Sequence, residues 1–545
     1  MPSDPPSGIK ARSRESRRSL LRPRRYARRR SLDSILIGKI TNRDPKMYRK
    51  GMAAYGLILI LGLWRVFEMS PSLLWPFVMI AASSLVAIGI WISSGLKGLP
   101  VLPAFVVQQV LVYLMPIAVQ NESIQGYSMQ VMNSSAASVA LFLLLLPLGW
   151  LGGRAIIEAR PARWRLELNV AGEGGALPLK IALLFLTANI AFEVLVKEGV
   201  IRGIPQGVMP IIKAGLAAGS ALGAFLGAFV ISFQKGGNGK SARFWAAFLT
   251  LFILTASGLL LSGVTLMVVA AAMGLGLGAG RVPWLFLITV GGGLAFLNVS
   301  KFDMREKYWR EGGDAANRLV DLPAFYIEWS EASIRNLSYR AETQTEEARN
   351  TKLGGQSLLD RIDNMQNLVF VVHAEKALNV SLLRGETYKL IPPLFIPRFL
   401  WPEKPRTHEG QILLNLHFGR QMSVEATETT YVAWGLLPEA VGNFGPIGGA
   451  LFLGPLLGFC FGMLEKWSMR KRLFSIEAVV AVALLLQILI SFEKVASVFL
   501  TSTFQMTLVL VAGCIAFRVA SGKKPMKSRG RRRAPTPANR RVSGE

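Results

Sequence analysis

Arg384, Lys389, Arg398, Lys404 and Arg406 fall within 23 positions of one polar stretch. Arginine grips phosphate oxygens through paired N–H donors, and lysine adds a point charge, so this group of cations suits a phosphate or pyrophosphate. Glu403 lies among them and His408 follows directly; both side-chain types can carry a proton during a reaction. Glu425, Glu428 and Glu439 are further carboxylate candidates. Between residues 300 and 430 acidic and basic residues nearly balance, so a salt-bridged loop surface is an equally good reading of the same residues. The three histidines, His373, His408 and His417, all lie in this stretch, but their spacing is not that of a zinc site. No serine nucleophile elbow is present. The chemistry expected here needs neither a metal nor a cofactor.

What positions these residues is a membrane bundle. Half of the 545 residues are hydrophobic, and the apolar ones gather into repeated runs of spanning length. The fold expected is an all-α polytopic membrane protein with about twelve transmembrane helices. They centre on 52–67, 72–94, 100–119, 130–151, 178–197, 209–233, 244–261, 263–280, 282–299, 441–464, 476–492 and 496–518. The chain divides into a basic tail (1–50), nine helices (51–299), one large loop domain (300–440), three helices (441–520) and a second basic tail (521–545). Most of the formal net charge of +28 sits in the two tails. Basic residues flanking membrane helices mark the cytoplasmic side and attract anionic lipid, a better reading here than nucleic-acid binding. The connections 152–177, 234–243 and 465–475 are basic and 120–129 has no Lys or Arg. Both termini therefore read as cytoplasmic and the large loop as extracytoplasmic. Cys460 and Cys514 fall in apolar runs and suggest neither a disulfide nor a metal site.

Within the loop, Leu358, Ile362, Met365, Val369 and Val372 recur at helical spacing and predict an amphipathic helix over 357–377, carrying Arg361 and His373. Residues 326–352 show no clear apolar stripe. The proline series from Pro392 to Pro405 excludes a continuous helix over 391–406. Glu439 to Gly449 reads as a glycine-rich turn opening into the tenth helix. The small-residue runs Gly215–Gly227 and Gly274–Gly280 predict close helix packing.

The order of Arg361, Gly385-Glu-Thr-Tyr388, Ile396-Pro-Arg-Phe-Leu-Trp-Pro-Glu-Lys-Pro405 and Glu439…Asn443-Phe-Gly445 resembles the Wzy-type polymerases of oligosaccharide repeat units. The motifs cover about 360–465, and the rest of the chain matches by topology. The resemblance implies a metal-independent, GT-C-related glycosyltransferase of the bacterial inner membrane. It would join repeat units carried on undecaprenyl pyrophosphate at the outer face, making O-antigen, capsule or exopolysaccharide. Arg398, Arg406, Lys404, Arg384 and Arg361 would bind the pyrophosphate, with Glu403 or His408 as base. The partners implied are the lipid-linked oligosaccharide, membrane lipids, a chain-length regulator and a flippase, and no nucleic acid. The sequence departs from the Arg-x10-Gly repeats of some of these polymerases: Arg398 to Gly410 is one residue longer, and there is no second copy. The alternatives are an O-antigen-ligase-like transferase, which shares donor and topology, and a transporter or flippase. Against transport, the halves show no internal repeat and no pair of broken helices.

Overall fold

The computed structural model describes residues 36–42, 45–95, 97–161, 176–201, 209–234, 238–259, 261–310, 318–342, 362–396, 400–429, 432–472 and 475–520. Among these the chain is helical, and the pairing of Leu36 with Arg472 is an isolated bridge. The principal helices are α1 (Pro45–Met69), α2 (Leu74–Ser93), α3 (Val101–Tyr113), α4 (Met129–Ile156), α5 (Ala176–Lys197), α6 (Met209–Gln234), α7 (Asn238–Ala256), α8 (Leu261–Ala279), α9 (Trp284–Val299), α10 (Leu322–Glu342), α11 (Met365–Lys376), α12 (Glu409–His417), α13 (Leu436–Ser468), α14 (Ile476–Leu489) and α15 (Ala496–Ala520).

Each of the twelve apolar runs coincides with one of these helices. Seven of the helices are long and apolar enough to cross a membrane, and five shorter apolar ones stand beside them. Their length follows from uninterrupted apolar sequence, because a helix satisfies its own backbone where no water can. The chain is an all-α membrane protein.

Glycine decides which helices touch. In α13, Gly454, Gly458 and Gly462 repeat every four residues against α4. A methyl group on Gly458 would lie 2.0 Å from the carbonyl oxygen of Leu146, and one on Gly462 would lie 2.1 Å from that of Trp150. The two backbones are in direct contact and run parallel. The predicted packing runs behave in the same way: Gly274 of α8 lies on Phe225 of α6, and Gly223 of α6 on Ala182 of α5. Where α4 and α13 finish, Glu465 is fully buried and accepts from the indoles of Trp91 (2.9 Å) and Trp150 (3.0 Å), tying three helices together. The segment Leu36–Asn42 docks at the same end. Its Ile37 and Gly38 N–H groups donate to the carbonyls of Lys471 and Met469, and its Thr41 hydroxyl donates to that of Lys97.

The loop between α9 and α13 is helical in part. Of residues 326–352, which show no clear apolar stripe in sequence, 326–342 belong to α10, whose Phe325 and Trp329 are buried, and 343–352 lie outside the described residues. The Trp329 indole donates to the Leu297 carbonyl, and Ser300 pairs with Ser333 at 2.7 Å. This face is built from aromatic and small residues, which a count of aliphatic positions misses. The amphipathic helix appears as α11; residues 357–361 of the predicted span lie outside the described residues. The prolines allow one short turn, Ile391–Leu394, and no continuous helix follows it in the described residues.

Candidate functional site

The glycine-rich stretch read as a turn before the tenth helix is itself helical from Leu436, and the break comes later. Gly445 has φ 76° and ψ 172°, a backbone conformation open essentially to glycine alone. Pro446 follows, with no N–H to give to the preceding turn. The carbonyls freed at the break are taken by a distant segment: Leu383 and Arg384 N–H groups donate to the Gly442 and Asn443 oxygens at 3.0 and 2.9 Å. Asn443 completes the junction. Its side-chain oxygen accepts from the Gly385 N–H (2.9 Å), and its amide donates to the Thr387 hydroxyl (2.9 Å) and the Glu439 carbonyl (2.8 Å). Two strings that are 50 residues apart, Gly385–Tyr388 and Glu439–Gly445, thus fold as one unit.

Glu439 is fully buried in that unit. Its Oε2 accepts from the Ala496 N–H at the start of α15 (2.5 Å), so a carboxylate sits where the α15 dipole is positive. Its Oε1 and the Tyr388 hydroxyl are buried with no hydrogen-bond partner. The Tyr388 ring stacks on Phe444 at 5.8 Å. Burial, with the Glu439 carboxylate adding to it, pushes the Tyr388 phenol well above its ordinary value. Glu375 of α11 reaches the helix break next to Gly445, and burial raises its carboxyl.

Beside this unit lies a cation that the sequence reading passed over. Arg420 follows α12, and its guanidinium donates to the Asn367 side-chain oxygen of α11 (2.5 Å). It lies over the rings of Phe370 (5.4 Å) and Trp434 (5.8 Å). An amide chain holds this arrangement. Asn367 donates to Asn364 (2.6 Å) and to the Trp434 carbonyl (3.0 Å); Asn364 donates to the Tyr113 hydroxyl (2.9 Å); the Trp434 indole donates to Asn415 (2.6 Å). No carboxylate among the described residues forms an ion pair with Arg420. Burial pulls the Arg420 guanidinium below its ordinary value. Tyr127, from the connection before α4, feels its charge and packs edge-on against His373, with ring centroids 5.3 Å apart. A half-buried cation with no counter-ion among the described residues suits a negatively charged ligand, and phosphate or carboxylate oxygens would pair with it.

The residues singled out from sequence are dispersed. Arg384 is exposed, in a left-handed conformation (φ 51°), on the unit that holds Glu439. The Lys404 ammonium donates to the Leu394 (2.7 Å) and Ile396 (2.5 Å) carbonyls, which makes it a brace of the prolyl turn. Glu403 and Arg406 are exposed. Lys389 is exposed and pairs with Glu386. His408 is half-buried at the start of α12, with Nδ1 3.3 Å from Gln411 Oε1. Arg361 and Arg398 lie outside the described residues. No cluster of three metal-ligating side chains occurs among the described residues.

Arg420 did leave one trace in the sequence. It is the sole Lys or Arg between Arg406 and Lys466, set among apolar and aromatic residues. Its partners Tyr127, Asn367 and Trp434 left none. No family model, curated protein or solved structure matches this chain.

Proposed function

We propose that the chain is a GT-C-related inner-membrane glycosyltransferase that polymerises oligosaccharide repeat units carried on undecaprenyl pyrophosphate. In this reading the twelve apolar helices all cross the membrane and the loop that holds Arg420 faces outward. The observation that carries it is Arg420: a guanidinium fixed by Asn367, laid on two aromatic rings and without a carboxylate partner among the described residues. It supports recognition of an anionic leaving group at the membrane surface. The union of the Gly385–Tyr388 and Glu439–Gly445 strings supports the same reading, because these are two of the strings on which the polymerase resemblance rests.

The reaction breaks the bond between the anomeric carbon of the growing chain and the pyrophosphate oxygen. It forms a bond from that carbon to a hydroxyl of the incoming unit. The pyrophosphate leaves with both bonding electrons, and Arg420 offsets its charge, a preorganised electrostatic contribution. Arg384 and Arg406 are exposed cations of the same loop, and the resemblance assigns Arg398 and Arg361 to the same anion. The acceptor proton passes to a base, for which His373 beside Tyr127 is the first candidate, with Glu403 and His408 the ones that the resemblance implies.

The test is a profile of cell glycan and lipid-linked intermediates in wild type, a deletion strain, and the deletion carrying Arg420→Ala or Arg398→Ala. The expected outcome for Arg420→Ala is a loss of polymer of roughly 100-fold or more, while single repeat units persist. Polymer of normal length accumulating on the lipid carrier would identify a ligase. An unchanged glycan profile in the deletion strain would remove both transferase readings.

A further inference from the structure

The end of the molecule opposite the Arg420 site holds a cavity of about 630 Å3. It lies where α4 ends at Ile156, where α13 ends beside Trp467, and where α14 begins near Glu477. Apolar helices that finish together mark the depth at which lipid tails give way to headgroups, and tryptophan is favoured at that level. Ile156 is 70 % exposed beside the cavity, so the wall continues onto a surface that faces lipid tails.

Among the described residues four charged side chains line the cavity, two of each sign. Arg160 Nε lies 3.4 Å from Glu158 Oε2, and both side chains are mostly exposed at the rim. Deeper in, Lys471 Nζ lies 4.0 Å from Glu477 Oε1, and both side chains are largely buried. The Lys471 ammonium also sits over the Trp467 ring at 5.2 Å. Among the described residues the lining is therefore balanced in charge and carries both signs. A multiply charged anion would meet two carboxylates there. A ligand that is itself a zwitterion, with a phosphate and an ammonium a few bonds apart, matches both signs.

We propose that this cavity binds the headgroup of an aminophospholipid, with the phosphate on Arg160 and Lys471 and the ammonium on Glu158 and Glu477. The acyl chains leave past Ile156 along the outside of α4 and α13. A primary ammonium donates three hydrogen bonds to carboxylates, whereas a trimethylammonium donates none. The site therefore distinguishes phosphatidylethanolamine from phosphatidylcholine, which carries the same phosphate and net charge. This proposal is independent of the glycosyltransferase reading, because it rests only on the opposite end of the bundle.

The experiment is native mass spectrometry of the detergent-purified full chain titrated with phosphatidylethanolamine, phosphatidylcholine or phosphatidylglycerol of one acyl composition. Wild type is expected to bind phosphatidylethanolamine about tenfold more tightly than phosphatidylcholine, the scale of one or two charge-assisted hydrogen bonds. Glu477→Gln should reduce that preference to about twofold. Arg160→Ala should weaken both lipids equally, by about fivefold. Arg160 is on the surface, so this variant tests the site even if Glu477→Gln fails to fold. Equal binding of the two zwitterionic lipids by wild type, a preference for phosphatidylglycerol, or an Arg160→Ala variant that binds as wild type would each overturn the proposal.

Discussion

Glu439 is fully buried, and its two oxygens are not equivalent. Oε2 accepts the Ala496 N–H, while Oε1 has no partner. Glu439→Gln keeps an acceptor for that N–H and should leave the fold close to wild type. Glu439→Ala leaves a buried N–H unmet, at a cost of about 1–3 kcal/mol. Thermal unfolding of the purified protein in detergent separates the two, and equal melting temperatures would refute the capping role. Lys494 sits in the short connection before α15, and burial lowers its ammonium from 10.5 to about 8. The folded chain therefore releases that proton near pH 8, whereas the unfolded chain keeps it to about 10.5. Between those values the unfolded state binds more protons, so this residue makes stability rise with pH; below about pH 8 its full cost is present and flat. Lys494→Met should raise stability at pH 7 by on the order of 1–3 kcal/mol and remove that part of the rise. A melting-temperature difference between variant and wild type that stays constant from pH 7 to 10 would exclude this account.

At the scale of the element, glycines that look alike in sequence have opposite roles. Gly445→Ala places a side chain in a conformation that costs about 1–3 kcal/mol. Gly458→Ala puts a methyl group 2.0 Å from the Leu146 oxygen and must move α13 away from α4. Gly292 of α9 has nothing within 4 Å of the same added group. Gly292→Ala should therefore be neutral or stabilise α9 by about 0.5–1 kcal/mol through helix propensity. The yield and melting temperature of the three detergent-purified variants check this ranking, which fails if Gly458→Ala behaves like Gly292→Ala. The same contrast shows what sequence made legible. Twelve helices were readable because apolar run length is a local property, and α11 because its period is. The break at Gly445 was misplaced because segment 383–387, far away in the chain, supplies the hydrogen bonds that let residues 436–444 remain helical beyond the glycines. The surroundings of Arg420 were illegible because its partners, Tyr127, Asn367 with Phe370, and Trp434, come from three separate parts of the chain. Lys404 looked like a phosphate ligand because the sequence does not show that its ammonium folds back onto the Leu394 and Ile396 carbonyls.

For the whole molecule, α13 is the ruler. Beyond its break at Gly445, residues 446–468 span roughly 35 Å, with the Glu439 unit and Trp434 before the break and the docked Leu36–Asn42 segment, Glu465 and Lys471 at the far end. α13 is long and apolar enough to cross a membrane, and on the proposed topology these two groups lie at its opposite faces. The end that holds Arg154, Arg160, Lys471 and Arg472, and receives the segment following the basic tail, is the one that the positive-inside bias assigns to the cytoplasm. On the proposed reading Arg420 and the loop around Glu403 then face outward, the side from which a lipid-linked glycan would reach them. With Cys460 and Cys514 replaced by alanine, single cysteines at Glu403→Cys and Glu158→Cys test the assignment, because both positions are exposed and lie near opposite ends of the bundle. A membrane-impermeant maleimide applied to intact cells whose outer barrier has been opened should label the first and spare the second until the inner membrane is permeabilised. The reverse pattern would put the Arg420 site in the cytoplasm and end the polymerase reading, because its substrate would then be on the wrong side. Equal labelling at both positions would show that α13 does not cross the membrane. The labelling does not depend on activity, so it separates an error in orientation from an error in chemistry.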